Sequence, residues 1–333
     1  MTKRLIRPGL AALVLAALGT VAAHAAPPAD PSSIWTLQEE NASVSTAHLT
    51  DRYYVNGLRL GWTSPTDAVP GFLASMGHAL WGDGQQRIAF DLTQQMFTPA
   101  NTAASEPVPG DRPYAGVLLG NFSLISDTDT SRSTLTLSLG VVGPASGAEQ
   151  LQNGFHDLIG QDRNNGWTNQ IQNTPAIELL SERVWRLPLA QFGGLETDVL
   201  PSLTAAVGDV RDYLQTGAII RLGQGLTSDF GVPRVRPGLS GGDAYVQTRP
   251  FAWYVFAGVD GQAVGYDITL QSNPFRGGPH VDAIWDVGEL EGGVAILAYG
   301  VRLTLTYAAQ TQEFEGQHGG LHQFGSAALS VKF

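Results

Sequence analysis

The sequence contains no cysteine and few charged side chains, and each of these features bears on the kinds of structure and site that the chain can form. Without cysteine the protein has neither disulfide bonds nor thiolate metal sites. Charged residues make up only 15% of the 333 residues while glycine occurs 40 times, a balance that favours short strands over helices. The 19 basic residues are outnumbered by 30 acidic ones. Because an acidic chain repels phosphate, no nucleic-acid partner is expected.

A long apolar run is present only at the N-terminus. Residues 1–26 begin with three basic side chains, continue through the apolar stretch Leu10–Ala23 and end in Ala23-His24-Ala25, which has the small-x-small form of a cleavage site. This predicts a secretory signal peptide at 1–26 and an exported domain at 27–333. A retained membrane anchor would need about 20 apolar residues. Removal of the signal peptide changes the formal net charge from −11 to −14.

The rest of the chain is rich in strand-length segments in which apolar and polar residues alternate. In one of them Leu58, Leu60 and Trp62 alternate with Arg59 and Gly61. Such alternation is typical of a transmembrane β-barrel, whose apolar side chains face lipid and whose polar side chains face the lumen. A soluble β-sandwich would also alternate. The end of the chain distinguishes the two.

The last ten residues, FGSAALSVKF, resemble the terminal strand of outer-membrane barrels. Apolar residues stand at every second position and the chain ends in Phe333, which is expected to be recognised by the barrel assembly machinery. Aromatic residues near other strand ends are expected to form an interfacial belt. They are Trp35, Tyr54, Trp62, Phe97, Tyr114, Trp253, Tyr254 and Tyr299. These features predict an integral protein of the outer membrane.

Twelve segments are predicted to be strands, and the region from Phe251 to Gln271 could hold one long strand or two. The segments are approximately Ile34–Asn41, Tyr54–Thr63, Arg87–Phe97, Pro113–Leu124, Ser133–Val142, Ala176–Arg186, Glu196–Val207, Arg211–Leu222, Phe251–Gln262, Leu290–Ala298, Val301–Gln312 and His322–Phe333. An even number of strands places both termini in the periplasm and the long loops after odd-numbered strands outside the cell. The predicted fold is therefore an all-β, twelve-stranded antiparallel transmembrane barrel.

The loop between the fifth and sixth strands carries the candidate site. Its sequence GPASGAEQLQNGFHDLIG, from Gly143 to Gly160, predicts a short helix that ends at a glycine. Glu149, Gln152 and His156 share one face of that helix. A histidine near a carboxylate such as Asp157 or Asp162 can act as a general base. The alternative is a surface histidine without a role.

Several blocks of sequence resemble the outer-membrane lipid A 3-O-deacylase family, in order along nearly the whole exported chain. They are Glu40–Trp62, Gln94–Asn101, Gly110–Gly116, Ser138–Gly160, Asp229–Gly238, the EFEGQ segment and the terminal FGSAALSVKF. The block VVGPASGAEQLQNGFHDLIG is the most specific of them. The resemblance implies a twelve-stranded barrel that hydrolyses the 3-linked hydroxyacyl chain of lipid A with the help of Ca²⁺, at a site facing the extracellular side.

The same resemblance implies roles for four residues of this chain. His156 would activate water, Gln152 lies one helical turn before it, Asn41 closes the first strand, and Asp162 stands where the family has an acidic residue. A calcium ion would polarise the ester carbonyl and stabilise the oxyanion.

The sequence departs from the family pattern in the region implied to bind calcium. Ala42 stands where aspartate is expected, Val55 replaces a hydroxyl residue, and a lysine expected near Ala104 is absent. Calcium takes about six to eight oxygen ligands, so these losses should weaken its binding. Three readings stay open: an active enzyme whose weaker metal site is completed by Asp51, Glu40 or backbone carbonyls; a catalytically impaired barrel with a lipid-binding or structural role; and a hydrolase with altered substrate or metal use.

Overall fold

The structure is a computed structural model that describes residues 28–44, 51–235 and 242–333. The predicted signal peptide at 1–26 lies outside these residues. The described chain is built mainly of long antiparallel strands. Each strand pairs with its neighbours in sequence, and the first pairs with the last.

Twelve strands form the barrel wall, and the sequence-based prediction of twelve is confirmed. They are β1 Ile34–Asn41, β2 Tyr53–Thr63, β3 Gln85–Thr98, β4 Ala115–Asp127, β5 Ser131–Val142, β6 Thr174–Trp185 continued as Leu187–Phe192, β7 Leu195–Gly208, β8 Arg211–Gln224, β9 Phe251–Asp267, β10 Asp286–Ala298, β11 Val301–Gln310 and β12 His322–Lys332. Both parts of β6 pair with β7, so the break at Arg186 interrupts one strand. The region after Phe251 holds a single long strand.

Pairing between β1 and β12 closes the barrel. Asn41, the last residue of β1, lies opposite Asn56 of β2 on one side and Gly325 of β12 on the other. Because the start of β1 lies beside the end of β12, the described termini lie at the same rim, which we call the near rim. The loops that follow odd-numbered strands lie at the opposite, far rim. Closure leaves no unpaired strand edge in the wall.

The two faces of the wall differ in polarity as the alternation predicts. Leu60 is 51% exposed on the outer face, whereas the neighbouring Arg59 is 8% exposed inside the barrel. The same pattern repeats around the barrel, with exposed leucine, isoleucine, valine and phenylalanine outside and buried polar residues inside. A wall of this kind suits a bilayer because its outer face is apolar while every backbone polar group is paired.

The predicted aromatic belt is only partly present. Trp35 and Tyr299 are 47% and 92% exposed near the rims. Four of the residues assigned to the belt are instead buried: Tyr54, Phe97, Tyr114 and Tyr254. Tyr54, for example, donates its hydroxyl to Glu40 Oε2 inside the barrel at 2.9 Å. The prediction was wrong for these residues because nearness to a strand end does not fix the face on which a side chain lies.

Three α-helices accompany the strands in the described residues: α1 Gly71–Trp81, α2 Ala148–Ile159 and the single turn α3 Ile268–Gln271. The predicted helix in the loop after β5 is α2. The sequence analysis did not assign α1, which follows β2 at the near rim and packs against β4. In the described part of the chain, no helix has the length and apolar character to cross a membrane.

The connection after β8 turns back into the barrel. Arg234 lies 3.1 Å from Glu40 of β1 and 2.9 Å from Glu289 of β10, measured between guanidinium nitrogen and carboxylate oxygen. Further along the same connection, Asp243 accepts a 2.9 Å hydrogen bond from Arg59 of β2. The described parts of this connection therefore fill much of the lumen with ion pairs.

An ionic cluster fastens the near rim where the chain enters the barrel. Asp30 pairs with Lys332 of the last strand and, at 3.2 Å, with Arg87 of β3. Burial by itself would raise the pKa of Asp30, but its hydrogen bonds from Lys332 and the Ser32 amide, with the positive charges of Lys332 and Arg87, lower this pKa below its usual value. The cluster ties the beginning of the chain to its last strand.

Candidate functional site

Helix α2 is set off from the flanking loop by glycines with positive φ. Gly147 (φ 71°) precedes the helix and Gly160 (φ 72°) follows it, a backbone conformation that costs little only for glycine. The Gly160 N–H donates to the His156 carbonyl and closes the last turn. A short 3₁₀ turn, Pro144–Ser146, leads into the helix. The local sequence thus defines both ends of the helix.

The burial pattern of α2 is the reverse of that of a helix on a soluble protein. Its buried side chains include the polar Gln152 and His156. Its large apolar side chains are exposed: Leu151, Phe155, Leu158 and Ile159. In water such an arrangement would be unfavourable, because burying polar groups costs free energy, and apolar side chains that stay in water do not contribute the stabilisation that burial would give. It suits a helix whose exposed face lies against lipid.

Helix α2 and its leading turn lie on the outer face of the barrel. Thr93 and Gln95 of β3 face the lumen, so Gln94 between them faces outward. Gln94 donates from Nε2 to the Ser146 carbonyl at 2.7 Å. A Cβ atom added to Gly116 of β4 would lie 2.5 Å from the Ala148 Cβ, so only glycine allows this close approach. The buried face of α2 is therefore pressed against the wall at the far rim.

His156 has both ring nitrogens engaged. Nδ1 lies 2.7 Å from the Asp162 main-chain carbonyl, and Nε2 lies 3.1 Å from Asp51 Oδ2. A carbonyl oxygen can only accept, so Nδ1 carries a proton and donates it to this hydrogen bond. In a neutral imidazole Nε2 is then the basic nitrogen. The ring is 7% exposed, so its orientation is fixed by these contacts.

Asp51 reaches the site from the loop that precedes β2. Its main-chain carbonyl accepts a 2.7 Å hydrogen bond from the Thr98 hydroxyl of β3, which anchors the end of the loop. Besides His156, its Oδ2 accepts from Gln152 Nε2 at 3.1 Å and from Asn164 Nδ2 at 3.3 Å. The loop before β2 and the loop that carries α2 thus meet at one carboxylate oxygen.

The other predicted site residues are placed differently from one another. Asn41 accepts a 2.7 Å hydrogen bond from the Ser43 amide and lies 3.5 Å from Glu39, and the structure gives it no contact with His156 among the described residues. Asp162 supplies its carbonyl to His156, while its side chain is exposed. Asp157 is also exposed and pairs with Arg163 at 2.9 Å, a hydrogen bond that lowers the pKa of Asp157. The carboxylate beside the imidazole is therefore that of Asp51.

Val55 and Ala42, which depart from the expected family pattern, are apolar residues and also lie in apolar surroundings. Val55 packs in a buried cluster with Met96, Tyr114, Ala148 and Trp167, directly beneath α2. Ala42 is fully buried in a second apolar cluster at the far rim. Each of these two side chains makes apolar contacts with the residues around it.

The described residues do not fit a calcium ion. No three His, Cys, Asp or Glu side chains are grouped so as to hold a metal within the ranges 28–44, 51–235 and 242–333. Glu40 faces the lumen, where it binds Arg234, and so cannot reach the outer face of the wall. Asp51 Oδ2 is surrounded by nitrogen donors, whereas calcium requires about six to eight oxygen ligands.

Two residues of the site were not foreseen from the sequence. Asn164 and Trp167 follow α2 in the same loop, and Trp167 donates from its indole N–H to Gln152 Oε1 at 2.7 Å. Both are buried, and the ring of Trp167 packs at a tilt against Tyr114, with 4.8 Å between ring centroids. Burial also raises the pKa of Tyr114, and the nearby negative charges of Asp51 and Asp111 raise this pKa further by a smaller amount. Sequence offered one signal, the position of these residues within one helical length of His156.

Loops at the far rim are joined by Arg112. Its guanidinium donates to Glu313 at 3.0 Å and to the Thr269 hydroxyl of α3 at 3.0 Å. It also lies over the Phe97 ring, 4.6 Å from the centroid. Burial lowers the pKa of Arg112 to about 10. These contacts explain the place of Arg112 in the GDRPYAG block.

Fold and site together define a class: a closed twelve-stranded barrel that carries a buried histidine on a loop helix against its outer wall. The profile of the family described as "Outer membrane protein LpxR" matches residues 10–333. The chain therefore belongs to this family and is an integral protein of the outer membrane. A comparison with curated protein sequences gave no match.

Several solved structures are similar to this chain. LpxR from Salmonella typhimurium is 24% identical, with a TM-score of 0.75 over 91% of this chain and 100% of that one. The β domain of the Bordetella autotransporter BrkA is 11% identical, covers 92% of this chain and 100% of its own, and has a TM-score of 0.43. The translocator domain of NalP from Neisseria meningitidis is 10% identical over 100% and 99% of the two chains, with a TM-score of 0.41. The first of these supports the fold.

Proposed function

We propose that this protein is a lipid A 3-O-deacylase that hydrolyses the 3-linked hydroxyacyl ester in the outer leaflet, with His156 activating the attacking water. The observation that carries the proposal is the placement of His156, buried against the outer barrel wall with Nδ1 bound to the Asp162 carbonyl. Membership of an outer-membrane protein family supports the setting. A base held in one tautomer and excluded from bulk solvent is what ester hydrolysis requires.

The surroundings of the histidine favour a lipid substrate. The exposed face of α2 carries Leu151, Phe155, Leu158 and Ile159, next to the apolar outer wall. An acyl chain lying on this face would cover apolar surface worth about 25 cal/mol per Å². The head of such a lipid would then stand near His156. With twelve strands and periplasmic termini, the far rim faces the outside of the cell, where lipid A is found.

The chemistry follows from the tautomer of His156. Because Nδ1–H is used by the Asp162 carbonyl, Nε2 is the nitrogen that accepts a proton from water. The resulting hydroxide attacks the ester carbonyl carbon, and the proton on Nε2 is later delivered to the sugar oxygen that leaves. Positioned general acid–base catalysis of this type contributes about 10²- to 10⁴-fold to a rate.

Calcium stays a prediction from the family resemblance. The described residues near His156 do not supply its ligand set, so no step of the proposed reaction is routed through the ion. Addition of a chelator during the assay tests the prediction directly.

One observation favours a second function, that of a catalytically impaired, lipid-binding barrel. Asp51 Oδ2 lies 3.1 Å from His156 Nε2, so the carboxylate has to move away before a water molecule can bind to this nitrogen. A protein that kept this contact would bind lipid on the α2 face without hydrolysing it. The two functions differ in one measurable product.

The test is mass spectrometry of lipid A from cells that express the wild-type protein or His156→Ala. Loss of one 3-linked hydroxyacyl chain with the wild type and not with the variant is the expected result. Barrel folding of both proteins is checked by their heat-dependent mobility in gels. An unmodified lipid A from a folded wild-type barrel would favour the impaired function, and an active His156→Ala variant would remove His156 from the reaction.

A further inference from the structure

Three side-chain nitrogen atoms of the far-rim loop converge on a single oxygen atom. Asp51 Oδ2 lies 3.1 Å from Gln152 Nε2, 3.1 Å from His156 Nε2 and 3.3 Å from Asn164 Nδ2. They come from two turns of α2 and from the segment that follows it. Because the Gln152 and Asn164 amides present N–H groups, this position is suited to an oxygen with negative charge.

The two amide donors are held in place by further contacts. Gln152 Oε1 accepts from the buried indole of Trp167 at 2.7 Å, which turns the NH₂ end of the amide towards Asp51. The main chain of Asn164 is clamped by Asn153, which accepts from the Asn164 amide at 2.9 Å and donates to its carbonyl at 3.3 Å. Donors fixed before the reaction need no reorganisation when charge develops.

The two amide N–H groups are unsuitable for a metal ion, because N–H groups bind anions. We propose that the side-chain amides of Gln152 and Asn164 bind the negatively charged oxygen of the ester hydrolysis intermediate, and that the Asp51 carboxylate occupies this position in the absence of substrate. The inference rests on the proposed function and deepens it. It assigns to Asn164, together with Gln152, the stabilisation that the family resemblance assigns to calcium.

The step balances without a metal. The water oxygen forms a bond to the carbonyl carbon, its proton passes to His156 Nε2, and the carbonyl π electrons move onto the oxygen held by the two amides. Collapse of the intermediate breaks the carbon–oxygen bond to the sugar. The proton on Nε2 then goes to the leaving sugar oxygen, and the fatty acid is released.

The first test compares Asn164→Ala with Asn169→Ala in the presence of a chelator. Asn169 lies in the same loop, is partly exposed, and donates to the Ser105 carbonyl, so it is a matched control. The wild type and Asn169→Ala should keep their activity in chelator, and Asn164→Ala should lose about 10²- to 10³-fold in kcat with little change in KM. Loss of wild-type activity in chelator, or full activity of Asn164→Ala, would overturn the inference.

A second measurement does not depend on hydrolysis. Dodecylphosphonate, whose anionic oxygens resemble those of the intermediate, is titrated into the purified barrel in detergent with chelator present. Binding should weaken at least tenfold in Asn164→Ala and tighten in Asp51→Ala, which empties the position. If the barrel has no deacylase activity yet shows this pattern, the proposed function fails while the anion-binding position stands. Equal binding by all three proteins would contradict the inference.

Discussion

The close contact between α2 and the barrel wall can be tested by adding one methyl group. In Gly116→Ala, the new Cβ would lie 2.1 Å from Ser146 Oγ and 2.5 Å from the Ala148 Cβ. The serine oxygen can rotate away, but the Ala148 methyl is fixed to the helix backbone. The helix must therefore move outward by roughly the shortfall from an ordinary 3.5–4 Å contact between carbon atoms.

The displacement should reduce activity more than stability. Overpacking of this kind costs about 1–3 kcal/mol, which a closed barrel tolerates. His156 is part of the displaced helix, and a misplacement of about 1 Å can cost roughly 100-fold in rate. We therefore expect Gly116→Ala to fold and insert normally while its rate of deacylation falls by one to two orders of magnitude.

Gly120→Ala is the matched control, since it adds the same methyl group to the same face of β4. There the nearest atom, Phe90 Cε2, is 3.6 Å away, an ordinary contact. The assay is the initial rate of fatty acid release from lipid A in membranes that contain equal amounts of folded barrel. Equal rates for both variants and the wild type would refute the idea that close packing on Gly116 positions the histidine.

Three further predictions concern stability and assembly. Arg112→Met removes a buried ion pair with Glu313, so we expect the free energy of unfolding to fall by about 3–5 kcal/mol and Tm to decrease. As a control, Arg163→Met breaks an exposed ion pair and should leave Tm unchanged. Because the pKa of Asp30 is lowered by folding, its charge stabilises the barrel fully above the ordinary value of 3.8, and this stabilisation is lost as pH falls through the lowered value. Asp30→Asn should therefore be less stable than the wild type near neutral pH. The difference, followed by circular dichroism, should vanish in strong acid. Phe333→Ala keeps the main-chain hydrogen bonds with Ser33 and removes a side chain that is 75% exposed, so the folded barrel should be as stable as the wild type. The amount of barrel assembled in the outer membrane, measured by immunoblot, should decrease. Unchanged amounts would argue against recognition of this residue during assembly.

The barrel could be predicted because its pattern is local. Residues along each strand alternate between lipid and lumen, so the pattern of a segment such as the one around Leu60 predicts both its strand conformation and which side chains face outward. Helix α2 was predictable for the same reason, since its terminal glycines lie next to it in sequence. The twelve strands and this helix were recovered with ends that shifted by a few residues.

The partners of His156 could not be predicted in this way. Asp51 is 105 positions away in the chain, and it reaches the ring only because β2 and β3 pair beneath α2. The sequence analysis looked for the carboxylate close to the histidine, at Asp157 or Asp162, where the structure shows exposed side chains. Contacts between distant segments depend on which strands neighbour each other, and local periodicity does not contain that information.

The amino-acid sequence by itself determined the class of protein, the number of strands, the helix that bears the histidine and the polar and apolar faces of the wall. Only the tertiary structure decided that this helix lies on the outside of the barrel, that Gln152 and Asn164 meet at one oxygen of Asp51, and that described parts of the connection after β8 enter the lumen. The physical reason is that residues next to each other in sequence share an environment set by burial, whereas a site is assembled from loops that only the closed barrel brings together.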